Sequence, residues 1–469
     1  MSRFDYDLVA IGCGPAGQKA ALQSAKLRKR TAIVDEREVV GGICTNIGTI
    51  PSKSFREAVL YLSGFRQRAI YGAGYRVKSK IEMKDLTYRC AKIIASEVEV
   101  IRSQLARNNV DVITGRGSLE DEHTVVISKP DGHKERITSE FIVIATGAKP
   151  YHPQNIQFDQ RTVLDSDFIL TLPELPKSMI VVGGGVIGVE YATMFAALGV
   201  AVTLVDGRKR LLGFIDEEIV ENLKYQMRTQ GITLRLGEEV TQVKCKDNDS
   251  GVVVELSSKK VLVSDVVLIS AGRTSATDGL NLESVGVKTG ERGKIVVDSQ
   301  FRTSVPNIFA VGDVIGFPAL ASTSANQGRI AALAAFGLNY QVMEYPLPFG
   351  IYSIPEISMV GLTEEEATEK NIPYEVGIAR YKDCARGAII GDMEGMLKLL
   401  INRQDKSIVG IHVIGENASE LVHIGQAAMS LKGTLNYFLD TVFNFPTLAE
   451  CYKIAAYNCF NKLQAAEEL

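Results

Sequence analysis

No two of the seven cysteines in this chain form a Cys-x-x-Cys pair: Cys13, Cys44, Cys90, Cys245, Cys384, Cys451 and Cys459 are scattered along 469 residues. That spacing argues against a disulfide framework and against a cysteine zinc site, and scattered free thiols suit a reducing compartment. Neither charge is in surplus. With 52 basic and 55 acidic residues the formal net charge is −3, so no global field draws in nucleic acid or an anionic membrane. The basic stretch Lys26-Leu27-Arg28-Lys29-Arg30 reads as a solvated helix end. No apolar run reaches membrane-span length. The first residues run straight into a strand, Tyr6-Asp7-Leu8-Val9-Ala10-Ile11-Gly12, without the charged, apolar and small-residue order of a secretory leader. The cytoplasm is the expected compartment.

The composition is that of a globular protein, with 46% hydrophobic and 23% charged residues. The length suggests about three domains at roughly 150 residues each. The organisation is carried by one unit that occurs twice. The strand Leu8–Ile11 leads into Gly12-Cys13-Gly14-Pro15-Ala16-Gly17, a helix over 18–27 and a strand Thr31–Val34 ending at Asp35. Ser178–Val182 leads into Gly183-Gly184-Gly185-Val186-Ile187-Gly188, a helix over 189–198 and a strand from Ala201 to Val205 ending at Asp206. Each is a GxGxxG in the strand–turn–helix context that a dinucleotide site requires. The first glycine allows the tight turn, the second lets a pyrophosphate approach the backbone, and the third lets helix and strand close together. Phosphate then sits at the positive helix end, and the acid accepts hydrogen bonds from a ribose diol. A lone GxGxxG is weak evidence, but two in full context are strong.

Two further apolar strands end in small-residue turns, Phe141–Ile144 before Ala145-Thr146-Gly147, and Asn307–Val311 before Gly312-Asp313. From residue 344 the character changes. Strands are expected at 358–361, 397–401 and 407–413, with helices near 417–431 and 448–464 and no nucleotide signature. The expected fold is α/β, two Rossmann-like dinucleotide domains plus an α+β C-terminal domain. The division is 1–152 and 275–343 for the first, 153–274 for the second and 344–469 for the third.

Together with residues 41–53, Gly-Gly-Ile-Cys-Thr-Asn-Ile-Gly-Thr-Ile-Pro-Ser-Lys, these motifs resemble the pyridine nucleotide–disulphide oxidoreductases over nearly the whole chain. Gly350-Ile351-Tyr352-Ser353-Ile354-Pro355-Glu356, His423-Ile424-Gly425-Gln426-Ala427 and Phe443-Asn444-Phe445-Pro446-Thr447 are most similar to the branch that exchanges hydride between nicotinamide nucleotides. The resemblance implies FAD on the first unit, held by Gly12, Gly14, Gly17, Asp35 and Glu36. Gly42, Cys44, Thr45 and Lys53 would lie along it, as would Thr146, Gly147, Gly312, Asp313 and Ala321. NAD or NADP would lie on Gly183, Gly185, Gly188, Glu190, Asp206, Arg208 and Gly272. Lys53 and Glu190 would pair beside the reacting rings and form the catalytic pair, with no metal. A homodimer, or a multiple of it, would form through the C-terminal domain.

The resemblance breaks at two matched positions. A disulfide reductase has a second cysteine where this chain has Thr49, and a histidine where it has Phe445. A hydroxyl cannot close a disulfide, and without one there is no use for a thiol-activating base. Glu450 remains with no imidazole to orient. Cys44 is then expected to keep a thiol pKa of about 8.5 or higher and to act as a small buried residue. Lys53 and Glu190 would otherwise read as an ordinary helix lysine and a first-turn acid. What remains is a flavin and one nicotinamide-type site, hence transfer of hydride from NADPH to NAD+ by ping-pong turnover at that site. Asp206 suits a free 2′-hydroxyl and Arg208 a 2′-phosphate, a mixture that suits both nucleotides. The alternatives are a quinone or dye reductase, a dihydrolipoamide dehydrogenase-like reductase, and a flavin-bearing scaffold.

Overall fold

The first strand–turn–helix–strand unit forms as the strand Tyr6–Ile11, the helix Pro15–Lys26 and the strand Thr31–Asp35. The helix begins at Pro15, three residues before its expected start, because proline suits the first helical position, where its missing N–H has no intrahelical partner to lose. The second unit repeats this as Ser178–Val182, Val186–Ala197 and Ala201–Asp206. These coordinates are a computed structural model that describes residues 3–246, 251–339 and 346–467.

The chain divides into two compact units. The first comprises residues 1–55, 87–152 and 271–343, and the second residues 56–86, 153–270 and 344–469. In the first unit a seven-stranded sheet runs in the order 110–114, 31–35, 6–11, 134–144, 124–128, 116–119, with Ile308–Ala310 also pairing on 134–144. The strands around Tyr6–Ile11 are parallel. Parallel strands are covered on both faces. Accordingly Leu8 and Ala10 join one apolar cluster with the helices at 15–26 and 321–335, while Val9 and Ile11 join a second on the opposite face. The helix Ala321–Ala335 packs so closely on Pro15–Lys26 that a Cβ at Gly328 would lie 2.0 Å from the carbonyl oxygen of Ala16.

Among the described residues the second unit holds three sheets. Five parallel strands run in the order 233–236, 201–206, 178–182, 266–269, 163–165. Three antiparallel strands span 240–264, and five antiparallel strands run in the order 349–351, 357–361, 408–414, 396–402, 374–380. The last sheet is backed by the helices Ala418–Ser430 and Glu450–Glu467. Cys451 and Cys459 face its core and are fully buried. The architecture is thus mixed α/β, with two parallel-sheet units and a strand-then-helix C-terminal region. Among the described residues no helix is long and apolar enough to cross a membrane.

Candidate functional site

Each outer glycine of the first turn is imposed by its neighbours. A Cβ at Gly12 would lie 2.4 Å from the carbonyl oxygen of Ala145, and one at Gly17 would lie 1.9 Å from that of Gly12. Gly12 also has a φ of +108°, where side chains are strained. Gly14 is different, because nothing lies within 4 Å of its Cβ position. Its bare backbone leaves room at the start of the helix Pro15–Lys26, where free N–H groups and the positive dipole end face outward. The second turn repeats the pattern. Gly183 is blocked by the Ser270 carbonyl at 2.4 Å and Gly188 by the Gly183 carbonyl at 1.9 Å, whereas Gly185 faces nothing within 4 Å.

Around the first turn several expected residues come together. A Cβ at Gly42 would meet the Gly14 backbone at 2.7 Å, so the short helix Gly42–Asn46 lies against the turn, with Thr45 buried beneath it. The Gly312 N–H donates to Gln327 Oε1 at 2.8 Å, and the Gly312 Cβ position lies 3.1 Å from Ala16. The Thr146 backbone follows the carbonyl that blocks Gly12, and its hydroxyl is buried without a hydrogen-bond partner among the described residues. Gly147 has a φ of +73° and open space at its Cβ position. Ala321 begins the helix that packs on this turn, and Glu36 is exposed beyond the strand end. An orphaned hydroxyl and two open glycine backbones fit the phosphates and hydroxyls of a dinucleotide.

Burial pushes the Asp313 carboxyl up, against the pull of the Arg273 charge and the Ser324 hydroxyl. Burial likewise raises the Cys44 thiol, opposed by a hydrogen bond with the Thr49 side chain and by the Lys53 charge. The residue that stands where a second sulfur is absent therefore touches the remaining one. Lys53 Nζ donates to Ser52 Oγ at 3.3 Å. At the strand end, Asp35 Oδ2 accepts from the Cys13 N–H at 2.6 Å and Oδ1 from the Arg37 N–H at 2.9 Å. Burial dominates and raises the Asp35 carboxyl. Gly272, with a φ of +105°, belongs to this unit and passes its carbonyl to the Tyr151 N–H at 3.0 Å.

In the second unit Asp206 is gripped more tightly. The Gly184 N–H donates to Oδ2, and the Arg208 N–H donates to Oδ1 at 2.7 Å. The Arg208 guanidinium adds a fork, Nε to Oδ1 at 3.0 Å and Nη2 to Oδ2 at 2.7 Å. Burial is the largest single influence and opposes ionisation, yet the Arg208 bonds and backbone N–H groups together hold the Asp206 carboxyl below the usual range. Sequence reasoning placed acid and arginine side by side but not in each other's grip. Arg210 reaches the Ile215 carbonyl and, at 3.0 Å, the Glu365 carboxylate.

Glu190 is 4% exposed, and its Oε1 accepts from the Tyr352 N–H at 2.8 Å. Two residues on, the Ile354 N–H donates to Thr193 Oγ1 at 3.0 Å. The segment 352–354 is therefore latched to the helix that carries Glu190. Lys53 falls in the first compact unit and Glu190 in the second. Sequence reasoning missed the latch, which is made by backbone donors. It also missed Lys398, fully buried and paired with Asp216 at 2.8 Å, Glu218 at 3.0 Å and Glu364. A lysine inside the apolar strand Met396–Asn402 was the available signal. Where the resemblance implied a histidine, Phe445 is 72% exposed, near the exposed Val442. Glu450 takes the Cys384 thiol at 3.6 Å.

Comparison with known proteins agrees with this geometry. Residues 6–328 match the family model described as pyridine nucleotide-disulphide oxidoreductase, and residues 347–456 match the model for the dimerisation domain of the same family. Proteins named soluble pyridine nucleotide transhydrogenase from Mycobacterium bovis and Pseudomonas putida are 51% and 45% identical to this chain. The matches cover 99% of this chain in both cases, and 99% and 100% of those proteins. Among solved structures, LpdA from Mycobacterium tuberculosis is 28% identical and the HOCl-induced flavoprotein disulfide reductase RclA from Escherichia coli 27%. Both superimpose with a TM-score of 0.87, over 96% of this chain and 99% of theirs.

Proposed function

We propose that this chain, which belongs to the pyridine nucleotide–disulphide oxidoreductase family and is an oxidoreductase, transfers hydride from NADPH to NAD+ with FAD as its bound cofactor and no redox-active disulfide. The observation that carries the reading is the pair Cys44 and Thr49, one thiol and one hydroxyl in the segment Gly41–Lys53. At the position where a reductase of this family would close a disulfide, this chain has a hydroxyl in place of the second sulfur, so electrons have no dithiol to enter. The names of the relatives at 51% and 45% identity support the same activity. FAD, when bound, supplies a ring that takes up and gives back a hydride.

The residues divide the work. Gly12, Gly14 and Gly17 shape a seat for the pyrophosphate at a helix N-terminus, with Asp35 as acceptor for the ribose diol and Asp313 and Thr146 for the chain beyond it. Gly183, Gly185 and Gly188 shape the second seat, for NAD or NADP. Lys53 would supply a positive charge to the cofactor, which would favour the negative charge gained on reduction. Glu190, on the helix after the second glycine turn, is held in orientation by the Tyr352 N–H. In the domain assignment that follows, 1–152 and 275–343 hold FAD, 153–274 holds NAD(P), and 344–469 forms a homodimer or a multiple of it. The dimerisation-domain match and the exposed Phe445 and Val442 support that last point. The seven free thiols support a cytoplasmic setting. One nicotinamide seat serves both nucleotides, so the donor's oxidised product leaves before the acceptor enters.

The test is anaerobic. The flavin-loaded protein is mixed with NADPH and an NAD analogue of distinct absorbance, without quinone or lipoamide. Reduction of the analogue with parallel-line kinetics is expected. Bleaching of the yellow colour with no analogue reduction would move the protein to the quinone-type activity, and a productive complex of both nucleotides at one flavin would remove the ping-pong order. Lys53→Ala should slow flavin reduction on the order of 10²-fold, whereas Cys44→Ser should leave nucleotide-to-nucleotide transfer within about twofold, as expected of a surface-scale change in a residue with no redox role.

A further inference from the structure

We propose that Arg208 is a built-in competitor at the 2′ position of the nucleotide: its guanidinium occupies Asp206, must be displaced by a ribose 2′-hydroxyl, and is drawn off by a 2′-phosphate. This rests on the reading that the second glycine turn takes NAD and NADP in turn. It adds a consequence of opposite sign for the two nucleotides.

A carboxylate offers about four acceptor positions, and all four on Asp206 are filled. Two are filled by backbone N–H groups of Gly184 and Arg208, which belong to the turn itself. The other two are filled by Arg208 Nε and Nη2. A ribose hydroxyl seeking Asp206 therefore has only the guanidinium to replace. The two partners differ in freedom, since the Asp206 side chain is 6% exposed and that of Arg208 is 62% exposed. Among the described residues the guanidinium has no other hydrogen-bond partner, so it leaves by a surface rotamer change alone, on the ps–ns scale.

The surrounding loop stays fixed while the side chain moves. The Gly237 N–H donates to the Arg208 carbonyl at 3.0 Å. Beyond it, Arg210 is tied to Glu365, Leu211, Leu212 and Ile215 are buried, and Asp216 is tied to the buried Lys398. Motion is thus confined to the side chain that reads the 2′ substituent. A 2′-phosphate meets the guanidinium as a bidentate, charge-assisted fork in place of the part-buried pair, and Asp206 keeps its two backbone bonds. A 2′-hydroxyl meets the opposite situation and gives back the part-buried ion pair before it gains its own hydrogen bond.

Direct binding tests this without turnover. Calorimetry on the FAD-loaded protein compares ADP-ribose with 2′-phospho-ADP-ribose, for wild type and Arg208→Ala. Loss of the charge-assisted fork should weaken the phosphorylated ligand by about tenfold or more. Release of Asp206 from a pair whose guanidinium is largely in solvent should tighten ADP-ribose by about two- to fivefold. ADP-ribose binding that is unchanged or weaker in Arg208→Ala overturns the competitor role. If neither ligand binds the wild-type protein, the assignment of the second turn fails first, and the proposal with it.

Discussion

The two glycine turns are built alike at every position their own backbone controls and differ only at the acid that follows. Gly12 and Gly183 are each blocked by a carbonyl from a neighbouring strand end, Gly17 and Gly188 by the carbonyl of the turn's first glycine, and Gly14 and Gly185 by nothing. Asp35 and Asp206 each hold the N–H of the turn's second residue and the N–H two residues beyond themselves. There the likeness stops. Arg37 lends Asp35 only its backbone in the hydrogen bonds described here, whereas Arg208 lends Asp206 its guanidinium as well. The first acid is left to burial and its carboxyl rises, while the second is pulled down. That contrast is in keeping with the proposal that the first turn holds a resident cofactor and the second an exchanging nucleotide.

The comparison is broken most forcefully at the third glycines. A methyl group at Gly17 or Gly188 would sit 1.9 Å from a carbonyl oxygen of the same turn, and backbone has to move to admit it. Gly17→Ala and Gly188→Ala should each cost about 3 kcal/mol or more, read as a fall in the urea midpoint. If either variant keeps the wild-type midpoint, the shared close packing of helix on strand is not what fixes the residue.

The second glycines sharpen it, since they separate shape from occupancy. Gly14→Ala and Gly185→Ala meet nothing within 4 Å, so each should change stability by less than about 0.5 kcal/mol. Their effects should then part company. Gly14→Ala should purify with less flavin, its FAD affinity reduced by about tenfold or more as the methyl enters the space for the pyrophosphate. Gly185→Ala should stay fully yellow and lose NADPH affinity instead. Flavin loss from Gly185→Ala, measured as the ratio of visible to ultraviolet absorbance, would show that the two seats are not separate.

How far the sequence carries depends on which atoms do the holding. The turns were legible to the residue, because the spacing GxGxxG encodes their shape: the third glycine is required by the carbonyl of the first within the same turn, and the first by a carbonyl from a neighbouring strand end. Thr49 and Phe445 were legible as a pair of substitutions, and the hydrogen bond of Thr49 with Cys44 gives the first of them a physical place. The latch on Glu190 was not legible. It comes from the N–H of Tyr352, 162 residues away, and every residue but proline carries that donor. The ion cluster at Lys398 was visible only as an anomaly, a lysine among apolar neighbours, because its partners Glu364 and Asp216 lie 34 and 182 positions away. The grip of Arg208 on Asp206 was hidden for another reason. Both residues were read as facing a ligand, and two opposite charges two positions apart at a strand end are free to face each other first.

The smallest expected effect is also the one that isolates the acids from the glycines. An unfolded aspartate titrates at about 3.9. Asp206 lies below that in the folded protein, so its ionised form adds stability that is present above the unfolded value and lost as pH falls through the folded one. Asp35 lies above it, so folding loses stability as pH rises from the unfolded value through the folded one, and acid restores it. Replacing each by asparagine removes its titration and leaves the rest of the turn in place. The deficit of Asp206→Asn relative to wild type should shrink as pH falls below about 4, and that of Asp35→Asn should grow as pH falls from about 6 to about 4. Each change should stay below about 1 kcal/mol, since the fork on Asp206 is half in solvent and screened. Urea unfolding of flavin-stripped protein across both pH ranges reads both slopes. Slopes of the same sign would mean that Arg208 does not set the second acid apart from the first, and the contrast between a fixed and an exchanging seat would lose its electrostatic basis.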